Sequence, residues 1–433
     1  MNSTPTCQPE TPQQRERLNK QTSGSSKRTT GRRGKRTRAG WTIESLNMKG
    51  CGAQSAAKSK WSEINSMMRE RRIGILTLQE THLTEEYTDE IHQLFGKRLS
   101  VHFSACRSNS SGKAGIAIVL NKDLVPTDDV EITELIHGRA MLIQAPWHAG
   151  TFLTWLAIYA PNNEKESKEM WENLTRLWSD LKLPQLDGMS GDFNFVEDAI
   201  DRIPAHGDSQ ALVKAFQEFK GKQRLKDGWR HINPERREYT YTQMSGKFSR
   251  SRIDRIYVSD KVLKNSDRWE IRHPPIGTDH QIVSVRVTHD QAPYLGKGRW
   301  MVPLHLLNNK KVIREVESIV EGMARDMHDA KGRRTDSWNL QTVYAKGKTE
   351  IIHTLHKYAR KSLPVKKAKI EDLKAKLDET LQDNTLPESD RLLTAALLQQ
   401  RIQSIQNEIN ESRRTSNMVK AKLEMETVSK YWM

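Results

Sequence analysis

The sequence predicts an α/β layered sandwich built on largely antiparallel sheets, with a helical extension at its C-terminal end. Three observations carry this. Short apolar runs of strand character are interleaved with segments whose apolar residues recur every three or four positions. Some of the runs alternate apolar and polar residues, and one pair flanks a glycine-containing turn, so hairpins accompany the strands. From about His289 the strand signals stop and amphipathic repeats replace them.

Taken in order, Ile43 to Asn47 reads as a short strand. Trp61, Ile64, Met67 and Met68 recur at helical spacing and predict an amphipathic helix up to about Arg71. Ile73 to Gln79 is nearly continuously apolar, as expected of a strand buried on both faces, and it delivers Glu80-Thr81-His82 at its C-terminal end. A carboxylate there is costly unless it is paired or binds a cation. Gly115 to Leu120, Ala140 to Gln144 and Thr151 to Tyr159 are further strands, the last ending in Tyr159-Ala160-Pro161-Asn162. Met170, Trp171, Leu174, Leu177, Trp178 and Leu181 predict a second helix.

A short apolar segment then ends in Ser190-Gly191-Asp192-Phe193-Asn194. With the chain still extended, alternation would aim Asp192 and Asn194 at one side, where a carboxylate can hold water and a carboxamide a phosphoryl oxygen. Taken alone, the stretch reads more readily as an ordinary turn, since Gly-Asp and Asn are turn residues. Ala211, Leu212, Ala215, Phe216 and Phe219 predict a third helix. Tyr239 to Thr242 and Arg252 to Val258 read as hairpin arms around Ser245-Gly246-Lys247, and Thr278-Asp279-His280 leads into the alternating strand Ile282 to Val287.

Beyond residue 290, a basic, mostly helical linker (291–365) precedes a segment (366–433) where Ile370, Leu373, Leu377 and Leu381 mirror Leu398, Ile402, Ile405 and Ile409. Around the break at Asp383 to Pro387 these form two helices, either an antiparallel hairpin or a surface for a partner helix. Short stripes favour the hairpin. The chain stops at Tyr431-Trp432-Met433, within sequence of structured character, as in a truncated reading frame.

The 433 residues carry a formal charge of +16, which favours a polyanionic partner, most simply nucleic acid. Cys7, Cys51 and Cys106 are too few and too scattered for a disulfide framework or a zinc site, which fits a reducing compartment. Without a membrane-length apolar run or a signal-peptide pattern, the expectation is a soluble intracellular protein that does not enter a membrane. Residues 1–40 are polar and basic and are expected to be disordered. The run Gly31 to Arg38 reads as a nuclear-localisation signal, a phosphate clamp or a solubilising tail.

Six polar clusters over residues 41–290 together resemble the motif series of the endonuclease/exonuclease/phosphatase superfamily. They are Asn47 in Ser45 to Gly50, Glu80 in Leu78 to His82, Tyr159 to Asn162, Gly191 to Asn194, Ser251 to Ile256, and Thr278 to His280. The combination looks most like the apurinic-type endonuclease domain of non-LTR, LINE-like retrotransposons. Asn194 to Pro204 is similar to the corresponding segment of fungal elements. The segment from Gly298-Arg299-Trp300 resembles the linker ahead of a reverse transcriptase, whose own motifs this sequence lacks.

The resemblance implies a four-layered sandwich of two packed sheets flanked by helices, and a metal-dependent endonuclease that nicks duplex DNA. It implies Glu80, Asn47 and Asp279 at a Mg²⁺ (or Mn²⁺) site, with Asp192, Asn194, His280, Asp254 and Tyr159 as catalytic residues. His82 is a weaker candidate. Lys247 and Phe248, in a hairpin from Gln243 to Ser249, would reach DNA, with Arg139 and Lys113 on its backbone, and the basic tail and linker would offer a surface for RNA. Each residue has a bland rival: Asp254 paired with Arg252 or Arg255, His280 at the surface, Tyr159 in the core. The rival functions are an abasic-site repair endonuclease, a phosphatase of the same fold, or an idle nucleic-acid-binding remnant of a retroelement.

Overall fold

Two six-stranded sheets face each other, and each holds one parallel pair among antiparallel neighbours. The computed structural model describes residues 37–52, 60–105, 115–243, 249–295 and most of 302–425. In the first sheet the order is Ser266–Arg272, Ile282–Thr288, Gly40–Asn47, Ile73–Gln79, Ile116–Asn121, Leu99–Ser104, with Gly40–Asn47 and Ile73–Gln79 parallel. The second runs Leu225–Asp227, Asp254–Ser259, Gly188–Asp192, Phe152–Tyr159, Ala140–Pro146, Glu131–Ile136, with Phe152–Tyr159 and Gly188–Asp192 parallel.

The layers follow from which faces are apolar. Ile43, Ile75, Ile118 and Leu120 of the first sheet meet Met141, Ile143, Trp155, Ile256 and Val258 of the second in the central core. On the outer face of the first sheet, Leu46, Leu76 and Leu78 pack against Trp61, Ile64 and Met68 of the helix Trp61–Glu70 and Ile91 of Glu85–Phe95. On the outer face of the second, Leu156, Ile158 and Met189 pack against Trp171 and Leu174 of Glu164–Asp180 and Phe216 and Phe219 of Gln210–Lys222. Strands apolar on both sides are what such a helix–sheet–sheet–helix stack requires, and Ile73–Gln79 is buried at every position. The four-layered architecture expected from the sequence is therefore the one observed.

Several elements depart from their expected limits. Thr37–Arg38 pairs with Tyr294–Leu295, and Gly40 already lies in a central strand, so the sandwich extends past both 41 and 290. Two-residue strands carry too little pattern to be read from sequence. The hairpin arms are Tyr241–Gln243 and Ser249–Ser251, joined with Arg202–Ile203 in a separate three-stranded sheet, whereas Asp254–Ser259 turns into the second main sheet. A helix Leu340–Gln382 runs unbroken through position 365, where linker and hairpin were divided. It pairs antiparallel with Glu388–Met425 through Ile370, Leu373, Leu377, Ala395, Ile402 and Ile405, with Lys366 Nζ 3.1 Å from Glu408.

Buried charges tie the loops to this frame. Asp201 accepts from Arg252 Nε at 2.8 Å and Nη2 at 2.6 Å and also pairs with Arg230. Arg252 reaches Asp227 at 2.7 Å as well. Burial opposes ionisation of Asp201, but the Arg252 and Arg230 guanidiniums outweigh it and hold its carboxyl below 3.8. Removing Asp201 takes from the buried Arg252 its two-point partner and leaves it Asp227 alone, so Asp201→Ala should destabilise the fold by about 3–5 kcal/mol in urea denaturation. Because the folded value is depressed, the contribution is complete above the unfolded carboxylate pKa and is lost as pH falls through the folded one. Stability of the wild type should therefore drop more steeply below about pH 4 than that of Asp201→Asn.

Candidate active site

The two parallel pairs end at the same rim of the sandwich. In the first sheet Asn47 is in register with Gln79, one residue before Glu80, and in the second Tyr159 is in register with Asp192. Asp254 lies opposite Asp192 on the antiparallel neighbour, and His280 precedes Ile282–Thr288. Carboxyl ends of adjacent parallel strands are where open α/β sheets gather polar groups. Here two such ends face each other.

Asn47 joins them. Its Nδ2 donates to Glu80 Oε1 at 2.9 Å and to Asp192 Oδ2 at 3.0 Å, while its Oδ1 accepts from the Lys49 backbone at 3.1 Å. Tyr159 donates its hydroxyl to Glu80 Oε1 at 3.1 Å. Burial, then the charges of Glu80 and Asp192, raise the Tyr159 pKa, so the phenol stays protonated as that donor. Among the described residues no ammonium or guanidinium pairs with Glu80.

Gly191 delivers Asp192. A Cβ at 191 would sit 1.8 Å from the Ile158 carbonyl oxygen of the parallel neighbour, so only glycine allows this approach. The strand ends at Asp192, and Asn194 adopts φ 56°, so the two side chains reach one cavity through a turn and not through strand alternation as expected. Asp192 Oδ1 accepts from Asn194 N at 3.0 Å, and Asn194 Nδ2 donates to Ala160 O at 2.8 Å, which leaves the amide a second N–H.

His280 and Asp254 form a buried pair, Nδ1 to Oδ2 2.8 Å, with Asp192 Oδ2 3.9 Å from the same nitrogen. Neither arginine flanking Asp254 competes for it. Arg252 is held by Asp201 and Asp227, and Arg255 lies among Phe193, Phe195 and Tyr257 with Nη2 on Phe195 O at 2.8 Å. Thr240 Oγ1 accepts from Asp254 N at 2.9 Å, and Thr278 Oγ1 donates to Asn47 O at 3.0 Å and accepts from His280 N at 3.2 Å. Burial pulls the imidazole pKa down, but Asp254, Asp192 and Asp279 outweigh it and lift it to about 9. For Asp192, burial and then the Asp254 charge raise the carboxyl to about 7 against the pull of His280.

Glu80, Asp192, Asn194, Asp279 and His280 line one open cavity of about 530 Å³. Oxygens of Asp192 and Asp254 and a His280 nitrogen lie within 4.8 Å of one another, a group able to hold a metal ion. Its imidazole Nδ1 is already engaged with Asp254, however, while Glu80 presents an oxygen to the cavity without a cationic partner. A carboxylate oxygen such as that of Glu80 is the donor type that suits a hard divalent ion.

The remaining expected residues have other neighbours. Asp279 is paired with Lys49, Nζ to Oδ2 2.7 Å. Arg139 stacks on the Tyr159 ring, 4.7 Å to its centroid, with Nη1 on the carbonyls of Tyr159 at 3.5 Å and Ala160 at 3.4 Å. His82, at φ 48°, packs under Gly50. Lys113, Lys247 and Phe248 lie outside the described residues. Sequence reasoning did not single out Lys49, Arg202, His206, Tyr241 or Ser251, which also line the cavity. Tyr241 forms a β-bridge with His280, and its ring lies 4.9 Å from the imidazole at a tilt of 44°.

Residues of this chain are 28% identical over 308 positions to the Transposon TX1 uncharacterized 149 kDa protein of Xenopus laevis, covering 70% of this chain and 22% of that protein. Among solved structures, AP endonuclease LMAP from Leishmania major is similar at 17% identity and TM-score 0.48, over 58% of this chain and 88% of its own. The endonuclease domain of TRAS1, a telomere-specific non-LTR retrotransposon, is similar at 15% identity and TM-score 0.41, over 58% of this chain and 100% of its own. Residues 45–280, more than half of the sequence, match the Endonuclease/Exonuclease/phosphatase family, and the chain belongs to it.

Proposed function

We propose that this chain is the endonuclease part of a LINE-like retrotransposon, nicking duplex DNA by metal-dependent phosphodiester hydrolysis. The observation that carries this is the convergence of Glu80, Asp192, Asn194 and His280 on one cavity from both sheets, with Asn47, Tyr159 and Asp254 hydrogen-bonded to them. Family membership and the similarity to the TX1 transposon protein support it.

The substrate is an anion that repels hydroxide, so the site must supply positive charge and a placed base. Glu80, oriented by Asn47 and Tyr159, is the residue proposed to hold a divalent ion, Mg²⁺ or Mn²⁺. When bound, that ion would neutralise the phosphate and the charge growing on the leaving oxygen. Asp192, with a pKa near working pH, takes the proton of the attacking water. Its carboxylate is held by Asn47 and the Asn194 backbone, which fixes the direction of attack. The second N–H of Asn194 and the His280 imidazolium, kept charged by Asp254, donate to non-bridging oxygens. Water oxygen bonds to phosphorus and the bond to the 3′-oxygen breaks. That oxygen takes up a proton from solvent water, leaving a 5′-phosphate and a 3′-hydroxyl able to prime reverse transcription, and Asp192 returns its proton to solvent. Duplex DNA is the proposed partner. RNA on the basic tail and linker, and delivery to the nucleus by the run ending at Arg38, belong to the same reading.

Full-length protein on supercoiled plasmid tests this. Nicking should require Mg²⁺ or Mn²⁺ and vanish in EDTA. Glu80→Ala and Asp192→Ala should each lose about 10²–10⁴-fold in rate while thermal stability and duplex affinity stay near wild type. Wild-type rates in either variant would refute the assignment, and faster turnover of an abasic duplex or a small phosphoester would move the substrate. The pH profile should rise as Asp192 loses its proton and fall as His280 loses its own. Asp254 raises both values, so in Asp254→Asn both limbs should move to lower pH, with a lower maximum.

A further inference from the structure

Lys49 is held in a manner that its ion pair alone does not explain. Its backbone is left-handed at φ 52°, a conformation unfavourable for a side chain of this kind. Neighbours restrain it on every side. The Lys49 N–H donates to Asn47 Oδ1 at 3.1 Å, and its carbonyl accepts from Lys60 Nζ at 3.2 Å. The next residue, Gly50, donates to Glu80 O at 2.8 Å. These restraints fix the Lys49 Cα against Asn47 and Glu80.

The side chain itself is 60% exposed and lines the same cavity as Glu80, Asp192, Asn194 and His280, with Nζ 2.7 Å from Asp279 Oδ2. An exposed pair of this kind adds little to stability. The two neighbouring lysines also divide their tasks. The Lys60 ammonium is spent on the carbonyls of Met48 at 2.6 Å and Lys49, whereas the Lys49 ammonium faces the cavity. The cavity wall carries the carboxylates of Glu80, Asp192 and Asp279, a poor surface for a phosphodiester without fixed cations beside them.

We propose that Lys49 is a substrate-contacting residue: its ammonium is parked on Asp279 in the free protein and swings to a non-bridging oxygen of the scissile phosphate when DNA binds. This rests on the endonuclease reading and changes one of its parts. Asp279, expected in the metal set, becomes the holder of a lysine. The site then gains a protein cation in Lys49 beside His280 and beside Arg202, which lines the cavity but is held by Asp208, with a divalent ion proposed at Glu80.

The full-length chain with Lys49→Met, Lys49→Arg and Asp279→Asn tests it by three measurements: melting temperature, duplex binding in EDTA across a salt series, and single-turnover nicking at saturating Mg²⁺. Lys49→Met should melt like wild type, lower the salt slope of binding by about one and slow nicking by about 10²-fold. Lys49→Arg should recover much of the rate, and Asp279→Asn should keep far more activity than Lys49→Met because the ammonium remains. Lys49→Met with an unchanged salt slope and a wild-type nicking rate overturns the proposal. So do equal losses in Lys49→Met and Asp279→Asn that follow a fall in melting temperature. Should the wild type fail to nick with any metal, the endonuclease reading falls, and an unchanged EDTA salt slope in Lys49→Met then overturns the Lys49 contact by itself.

Discussion

The Asn47 carboxamide sits between two carboxylates from different sheets, and the rest of the site is arranged around it. Its Nδ2 reaches Glu80 at the end of one parallel pair and Asp192 at the end of the other. Two N–H donors on one nitrogen let a neutral group hold two anions at a set separation, which a lysine could do only by cancelling one charge. Asn47 Oδ1 is tied to the Lys49 backbone, so the amide has little freedom to turn. With both sheets pinned at this point, the positions of Tyr159 and of the Asp254–His280 pair follow from strand register.

Charge in the interior is kept separate from charge at the cavity. Arg252, Asp201, Asp227 and Arg230 form one network, and Glu44 with Arg71, Arg272 and Ser284 another. The first of them holds Arg252, two residues from Asp254. Because Arg252 and Arg255 are engaged elsewhere, the buried Asp254 is left to the imidazole, and one Asp254 oxygen has no hydrogen-bond partner among the described residues. An imidazolium held by a single strong acceptor and a carboxyl pushed toward neutrality are the direct electrostatic consequences.

The helical extension is joined to this architecture close to the cavity. Lys374 Nζ lies 2.6 Å from Glu238, Arg236 lies 3.3 Å from Glu371, and Arg250, stacked on Tyr239, faces Asp378 at 3.8 Å. Residues 236–239 lead into the small sheet whose Tyr241, Gln243, Ser249 and Ser251 line the cavity, and Arg250 lies within it. The antiparallel helix pair thus braces the segment that forms one wall of the site. No helix among the described residues is long and apolar enough to cross a membrane.

By itself the sequence determined the strand-and-helix composition of the sandwich, because full burial of Ile73–Gln79 and the stripe of Trp61, Ile64 and Met68 are written in local periodicity. It also determined the identity of the polar residues at the strand ends, since their order along the chain carries the family motifs. Only the tertiary structure decided which groups pair. That Asp254 meets His280 and not its neighbouring arginines, that Asp279 meets Lys49, and that Arg139 supports Tyr159 are contacts between residues 20 or more apart in the chain. Strand edges such as Thr37–Arg38 and the turn at Asn194 were equally hidden. A side chain's partner is fixed by register and by what its competitors have already bound, and neither quantity has a local signature.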